Sequence, residues 1–502
     1  MLLAQLAETD SGNKSLGRRA ASQAISAGAM SLALKLGRSM PQAGLTTDVR
    51  LLLAVDELLR GKMEQAQAYL STGGDDGDLS FIAPYISAWS SLERRNLPAA
   101  LTTLEQIPPS SLLGTYVNEQ RAYILIKAKM TQDAEPFARR AIAQGAQRET
   151  QMRLAMADSF LAAGDKARAL AMLDTASSEA VAARARIAAG KSLGTAVDTP
   201  AKAFADMLVG LSLDLNRVNA TSFPIRLVQV ARYAWPDSGA ASIVLGALLQ
   251  TRDRTPEALA AFNSVTSDSV LADQARDAQA RALTDSKRYG EALALSQSAA
   301  AQPNASSVDY SRLGDVLVAM KRYRESADAY QKAIDRLEPE AKDDLWTLLL
   351  LKASANEEGD RWPEAKKDLE AALRLAPEQP LILNFLGYAK LERGEDLDNA
   401  EAMIRKASEL SPDDASITDS LGWAQYKRGK TAEAIETLQR AAAADPSQAE
   451  IREHLGDALY DAGRRFEARF AWEAALVTAD DEIAARVKSK LETGLGKANR
   501  AP

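Results

Sequence analysis

The stretch DSLGWAQYKRGKTAEAIETLQRAAAADP, residues 419–446, is followed by EHLGDALYDAGRRFEARFAWEAAL, residues 453–476, and the two align at an offset of 34. Leu421-Gly422 recurs as Leu455-Gly456, Gly429 as Gly463, Ala434 as Ala468 and Ala441 as Ala475. Extended backwards, this register gives a ladder of small residues: Ala54, Ala88, Ala122, Ala157, Ser212, Gly246, Ala280, Gly314, Ala353, Gly387, Gly422 and Gly456. Its steps are 34, 34, 35, 55, 34, 34, 34, 39, 34, 35 and 34. A second ladder, 12 or 13 residues behind, runs Ala66, Ala100, Ala134, Ala169, Ala258, Ala292, Ser326, Ala365, Ala400, Ala434 and Ala468. The two ladders change step in nearly the same places, which chance does not produce. A fixed period of this length marks an array of supersecondary units.

The 502 residues are 46% hydrophobic and 26% charged, with 28 glycines, 18 prolines and only 5% aromatics. Plentiful alanine and leucine favour helix, because these side chains lose least on entering one. Cysteine is absent, which excludes disulfides, cysteine-zinc sites and thiol nucleophiles. The single histidine, His454, excludes a histidine-rich metal site. A net charge of −7 argues against nucleic acid as a partner, since phosphates demand a concentrated basic surface. No apolar run reaches the length of a membrane span, and Met1-Leu2-Leu3-Ala4-Gln5 lacks the basic start and apolar core of a signal peptide.

These residues resemble the tetratricopeptide repeat, a 34-residue helix–turn–helix unit. One unit is matched by Leu313-Gly314, Tyr323, Tyr330 and Ala333, and the next by Trp362, Ala365, Ala372 and Pro377. Leu386-Gly387, Ala400, Ala407 and Pro412 follow, then Leu421-Gly422, Ala434, Ala441 and Pro446, then Leu455-Gly456, Ala468, Trp472 and Ala475. Leu245-Gly246, Ala258 and Phe262 match earlier in the chain, and the N-terminal units carry alanine where the motif has glycine. The resemblance implies an all-α, right-handed superhelical solenoid of about a dozen such helix pairs. In such a fold only Gly, Ala or Ser lets two helix backbones approach, and stability accumulates by stacking.

The spacing divides the chain into an N-terminal array at 1–176 with an incomplete first unit, and an extra helix and joint at 177–200. A central array follows at 201–335, an inter-repeat loop at 336–344, a C-terminal array at 345–476, and a capping helix and tail at 477–502. The extra helix is predicted near Ser178–Ala189, and the cap from Asp480-Asp481 to about Leu495. Residues 15–40 read as most of a helix pair and Leu2–Glu8 as the end of a preceding helix, so the natural chain is expected to begin upstream with a targeting signal.

Gly190-Lys191-Ser192 echoes a phosphate-binding loop, but Ala185 stands where that loop needs glycine and no strand precedes it. Gly494-Leu495-Gly496-Lys497 reads as a frayed helix end. His454 lies beside Glu453 and Asp457 with neither nucleophile nor oxyanion site, so it is expected at the surface or in a groove. Asp343-Asp344 and Asp413-Asp414 sit in turns, where carboxylates cap helices. No enzyme signature, cofactor site or metal site emerges.

In the repeat family, first-helix residues away from the packing seam line the concave face where peptides or partner helices bind. That register places Asn384, Tyr388, Asp419, Trp423, Tyr426, Lys427, Glu453, Asp457 and Tyr460 there, with Tyr85, Trp89, Tyr116, Glu119 and Tyr123 on the matching N-terminal face. Aromatics mixed with charges suit a protein interface; the competing reading is that some of these rings fill seams. The Lys and Asn pattern that grips a terminal carboxylate in chaperone adaptors is replaced by Asp419 and Trp423, or Glu453 and Asp457, and an acidic groove favours a basic or mixed ligand. Replacing Trp423 and Tyr426 by alanine is expected to weaken partner binding and spare helicity.

The chain is therefore read as a non-catalytic scaffold or adaptor for other proteins. The run from Asn384 through Asp398–Ala407 to Trp423, with His454–Asp457 and Ala468-Arg469, also resembles the C-terminal repeats of proteobacterial cell-envelope tetratricopeptide lipoproteins that serve as adaptors for a carboxyl-terminal processing protease. That resemblance implies a periplasmic or outer-membrane-associated chain, if a signal precedes it, that activates such a peptidase or delivers substrates to it. A scaffold of an envelope secretion, pilus or polysaccharide-export assembly, a cytoplasmic regulator, and an enzyme whose catalytic domain lies upstream stay open as alternatives.

Overall fold

The computed structural model describes residues 14–71, 79–111, 113–175, 177–218, 222–303, 305–337 and 345–496. All regular structure among them is helical. The segment Leu2–Glu8, residues 338–344 with Asp343-Asp344, and the tail from 497 lie outside the described residues. The fold is all-α, a succession of antiparallel helix hairpins, and it divides into two compact units at Ser296, inside the helix Tyr289–Ala300. That division falls within the span read from spacing as one central array.

The first unit opens with the hairpins Lys14–Ser26/Met30–Ser39, Thr47–Leu59/Met63–Ser71, Ala83–Glu93/Leu97–Glu105, Val117–Lys127/Thr131–Gln144 and Glu149–Ala162/Lys166–Met172. A single helix, Ser178–Ala188, precedes a hairpin of another kind: Pro200–Val218, at 19 residues the longest helix among the described residues, and Phe223–Ala234. Gly239–Gln250/Thr255–Asn263 and Ala272–Asp285 resume the series. The second unit holds the hairpins Ser307–Ala319/Tyr323–Asp335, Leu345–Glu358/Trp362–Leu375, Pro380–Glu392/Leu397–Leu410, Ala415–Lys427/Thr431–Ala444 and Ala449–Asp461/Arg465–Ala475, closed by the helix Asp481–Thr493.

The ladder of small residues marks where the two helices of a hairpin touch. A Cβ on Gly314 would lie 2.6 Å from the Tyr330 ring, and one on Gly422 would lie 2.7 Å from Leu438 Cγ. Phe262 and Trp472 crowd Gly246 and Gly456 in the same way. The turn between the helices carries its own repeat, a residue with positive φ: Arg95, Lys129, Gly164, Asp253, Lys287, Lys321, Asp360, Gly394, Gly429 and Gly463. Its backbone N–H closes the preceding helix, as when Gly429 donates to Tyr426 O. Helix starts are capped by side chains: Asp414 accepts from Ser416 and Ile417, Asp480 from Glu482 and Ile483, and Ser306 forms a reciprocal capping box with Asp309.

Candidate functional site

In the first unit, the first-helix face of the repeats is filled by the chain itself. Asp158 on the helix Glu149–Ala162 accepts from the backbone N–H groups of Leu193 (3.0 Å), Thr195 (2.7 Å) and Ala196 (2.9 Å), gathering the segment after Ser178–Ala188 into a turn. Ser159 Oγ takes the N–H of Val197. The helix Pro200–Val218 then runs across the preceding repeats. Gln120 donates to Ala203 O (3.2 Å), Tyr123 to Asp206 (3.0 Å) and Tyr116 to Asp214 (2.6 Å). Its hairpin mate returns to the helix Thr47–Leu59, where Arg226 pairs with Asp48 at 2.7 Å and Tyr233 donates to Asp56 at 2.8 Å.

The fit is close. Ala203, Phe204, Met207, Leu208 and Leu211 of the inserted helix are all buried. Between it and Tyr85, Ile86, Trp89 and Gln120 remains a cavity of about 10 Å³, room for one water at most. Gly210 lets the backbone approach Arg148 and Tyr116, since a Cβ there would sit 2.6 Å from the guanidinium and 2.7 Å from the ring. Beneath this contact Glu119 is fully buried and paired with Arg148 at 2.7 Å. Burial is the main force raising its carboxyl to about 8, opposed by Arg148 and reinforced by Asp206. Tyr85, Trp89, Tyr116, Glu119 and Tyr123, predicted to line an open N-terminal groove, are therefore interior residues. The register placed them on the correct face, but it could not show that a later helix lies over that face.

In the second unit the last repeat is covered in a similar way. Lys490 of the closing helix is buried and donates to Glu453 Oε1 (2.6 Å) and to both oxygens of Asp457 (2.8 and 2.9 Å). Arg486, one turn earlier, binds Glu453 through Nε and Nη2 at 3.2 and 2.9 Å. Trp472 Nε1 completes the cluster on Asp457 at 3.0 Å. Burial pushes the Glu453 carboxyl up, but its bonds to Arg486 and Lys490 outweigh that and hold it below the usual value. Tyr460 abuts Gly494 at the end of the closing helix. Glu453, Asp457 and Tyr460 thus serve the cap contact.

One repeat earlier, Trp423 is fully buried and stacked between Tyr426 (centroids 4.9 Å apart) and His454 (4.1 Å). Tyr426 is buried and donates to Asp461 at 2.5 Å, so both rings fill the seam between neighbouring repeats. His454 corrects another expectation: it is buried, not at the surface. Its Nδ1 lies 2.8 Å from Asp419 Oδ2, and its Nε2 has no partner among the described residues. Burial alone would lower the imidazole, yet Asp419 outweighs it and holds the group above its ordinary value.

The same register continues upstream to Asn384 and Tyr388 on the helix Pro380–Glu392. Both are half-buried; Asn384 Oδ1 and the Tyr388 hydroxyl have no hydrogen-bond partner among the described residues. Burial, then the carboxylates of Glu392, Glu450 and Asp419, push the Tyr388 phenol far above its usual range. Glu392 accepts from Trp423 Nε1 (3.1 Å) and from the exposed Lys427 (3.2 Å), whose ammonium also lies over the Trp423 ring. Glu450 is exposed and has no ion-pair partner among the described residues. Glu392 and Glu450, with Asp158, Lys490 and Arg486, were not singled out in the sequence. Asp158 follows the ladder residue Ala157 as Asp457 follows Gly456, so the register itself could have found it.

Among the described residues no cluster of His, Cys, Asp and Glu is arranged to hold a metal, and no helix is long and apolar enough to cross a membrane.

Comparison with known proteins places tetratricopeptide repeats in the second unit: one family model, the tetratricopeptide repeat, matches residues 350–415, and another, the TPR repeat, matches 422–463. No curated protein matches the chain. Similar solved structures include the APC/C hetero-tetramer Cut9–Hcn1 (14% identity, 99% of each chain covered, TM-score 0.42) and yeast Tom70 (13%, 82% of this chain and 95% of that one, 0.44). YrrB, a tetratricopeptide protein with an unusual peptide-binding site, aligns over 39% of this chain and 97% of its own at 18% identity and a TM-score of 0.29.

Proposed function

We propose that this chain, which carries tetratricopeptide repeats over much of residues 350–463, is a non-catalytic scaffold that binds another protein on the first-helix face of its second unit. The observation that carries this reading is the contrast between two covered stretches of that face and the stretch around Asn384 and Tyr388. The inserted hairpin fills the first unit's face, and the closing helix covers the last repeat. Around Asn384 and Tyr388, by contrast, polar groups with unused hydrogen-bonding capacity stand beside a half-buried aromatic ring. A ring with a polar tip, framed by orienting charges, is the usual composition of an interface anchor.

The finer reading is an adaptor for a carboxyl-terminal processing peptidase of the cell envelope, and it rests on the resemblance of residues 384–423 and 454–469 alone. The experiment is crosslinked capture from the native cells with the full chain, beside Tyr388→Ala and a variant on the opposite helix layer, Glu473→Gln. A partner retained by Glu473→Gln and lost by Tyr388→Ala supports the scaffold reading; a peptidase among the captured proteins, stimulated by the chain in a cleavage assay, supports the finer one. Envelope assembly components without a peptidase would move the assignment to a secretion, pilus or export scaffold. Capture indifferent to Tyr388 would remove the groove from the account.

A further inference from the structure

The molecule displays how its own groove takes a ligand. In the last repeat, Glu453 and Asp457 of the helix Ala449–Asp461 clasp the ammonium of Lys490, while Arg486 from the same face of the closing helix seals Glu453. The occupant is a helix presenting two cations at i and i+4, with buried Val487 between them. The repeat register carries the same two positions upstream, first to Asp419 and Trp423, then to Asn384 and Tyr388. Asp419 is already taken by His454, and the Asn384/Tyr388 position is not.

Acceptors and carboxylates prevail around that position, with His454 and Lys427 as the cations beside them. Among the described residues the Tyr388 oxygen makes no hydrogen bond and the exposed Glu450 forms no ion pair, while the enclosed Asn384 Oδ1 also lacks a donor. Glu450 lies within electrostatic reach of both Tyr388 and Arg486 of the closing helix. Glu392 adds a second carboxylate, partly offset by Lys427. Acceptors and negative charge together call for a donor-rich cation.

We propose that this trough, between the helices Pro380–Glu392 and Ala449–Asp461, binds a helix of a partner protein bearing lysine or arginine at i and i+4, continuing the line of cations that Lys490 and Arg486 begin. The inference rests on the scaffold reading and specifies its partner. The Tyr388 oxygen accepts from the incoming cation, and Glu450 supplies the opposite charge. The partner's apolar residue between its two cations lies on the Tyr388 ring, as Val487 lies in the core of the last repeat.

The test uses the full chain and two synthetic, end-blocked, alanine-rich helical peptides. One carries Arg-Val-x-x-Lys in the spacing of Arg486, Val487 and Lys490; its twin carries glutamate at both charged positions. Fluorescence anisotropy is expected to show binding of the basic peptide only, weakening with added salt. Glu450→Gln and Tyr388→Phe should each lower its affinity about tenfold, while Glu473→Gln leaves it unchanged; thermal melts of each variant verify folding. Equal binding of the twin, or affinity unmoved by both trough variants, would overturn the proposal. Absence of peptide binding while the chain still captures a partner through Tyr388 would sink the basic-helix specificity and leave the scaffold reading standing. Loss of both would remove both.

Discussion

The Lys490 ammonium sits 2.8 and 2.9 Å from the two oxygens of Asp457, with lysine and aspartate both out of reach of solvent. Burying the lysine is tolerable only because Asp457 and Glu453 neutralise it and saturate its donors. Lys490→Ala takes the shared cation from two buried carboxylates, and is expected to cost about 3–5 kcal/mol. Stacked repeats transmit such losses only to neighbours. Hydrogen exchange should therefore rise over residues 449–493 and stay unchanged in the first unit.

Gly422 and Leu438 test the ladder directly. The missing Cβ would lie 2.7 Å from Leu438 Cγ and 3.2 Å from its backbone nitrogen, so the helices must part to admit it. Gly422→Ala is expected to destabilise by about 1–3 kcal/mol despite alanine's better helix propensity. Gly290→Ala, in a helix where nothing lies within 4 Å, should instead gain about 0.5–1 kcal/mol. Calorimetric melts of the two variants should move in opposite directions.

That close approach explains why the hairpins were legible. Small residues at a fixed period are a steric requirement, so the ladders from Ala54 to Gly456 report contact and not composition. The turns were half legible: Gly429 and Gly463 announce a positive φ, whereas Lys129 and Lys321 adopt it without any glycine. The hairpin from Pro200 to Ala234 was concealed because Ser212 fits the first ladder. The second ladder has no rung between Ala169 and Ala258, and that gap was the available sign that this hairpin packs elsewhere. The groove residues were read on the right helices. An aromatic side chain at that register looks the same in sequence whether it faces solvent or, like Trp423, a neighbouring histidine.

Glu119 makes the first unit's stability depend on pH. Its folded value of about 8 stands above the 4.5 of an ordinary glutamate, so the fold favours the protonated form. Its contribution is complete below about 4.5 and is lost progressively as pH rises to about 8, because over that window the unfolded chain alone releases the proton. Arg148, Asp206, Tyr116 and Tyr123 face it and stay in place in Glu119→Gln. Melting temperature measured from pH 5 to 8 should fall for the wild type relative to Glu119→Gln. Parallel profiles would mean that Glu119 is already ionised in the fold.

Trp423 and Tyr388 separate stability from binding. Trp423, with its face on His454 and its Nε1 on Glu392, is a seam residue, and Trp423→Ala should cost about 3–5 kcal/mol. Its effect on a partner would then follow from a loosened repeat. Tyr388 is half-buried and makes no hydrogen bond within the described residues, so Tyr388→Ala should melt much closer to the wild type and yet lose the partner. The decisive comparison is capture below the melting temperature of both variants. If Trp423→Ala proves as stable as the wild type and loses the partner while Tyr388→Ala keeps it, the binding surface lies on the Trp423 side, and the trough around Asn384 has no role in it.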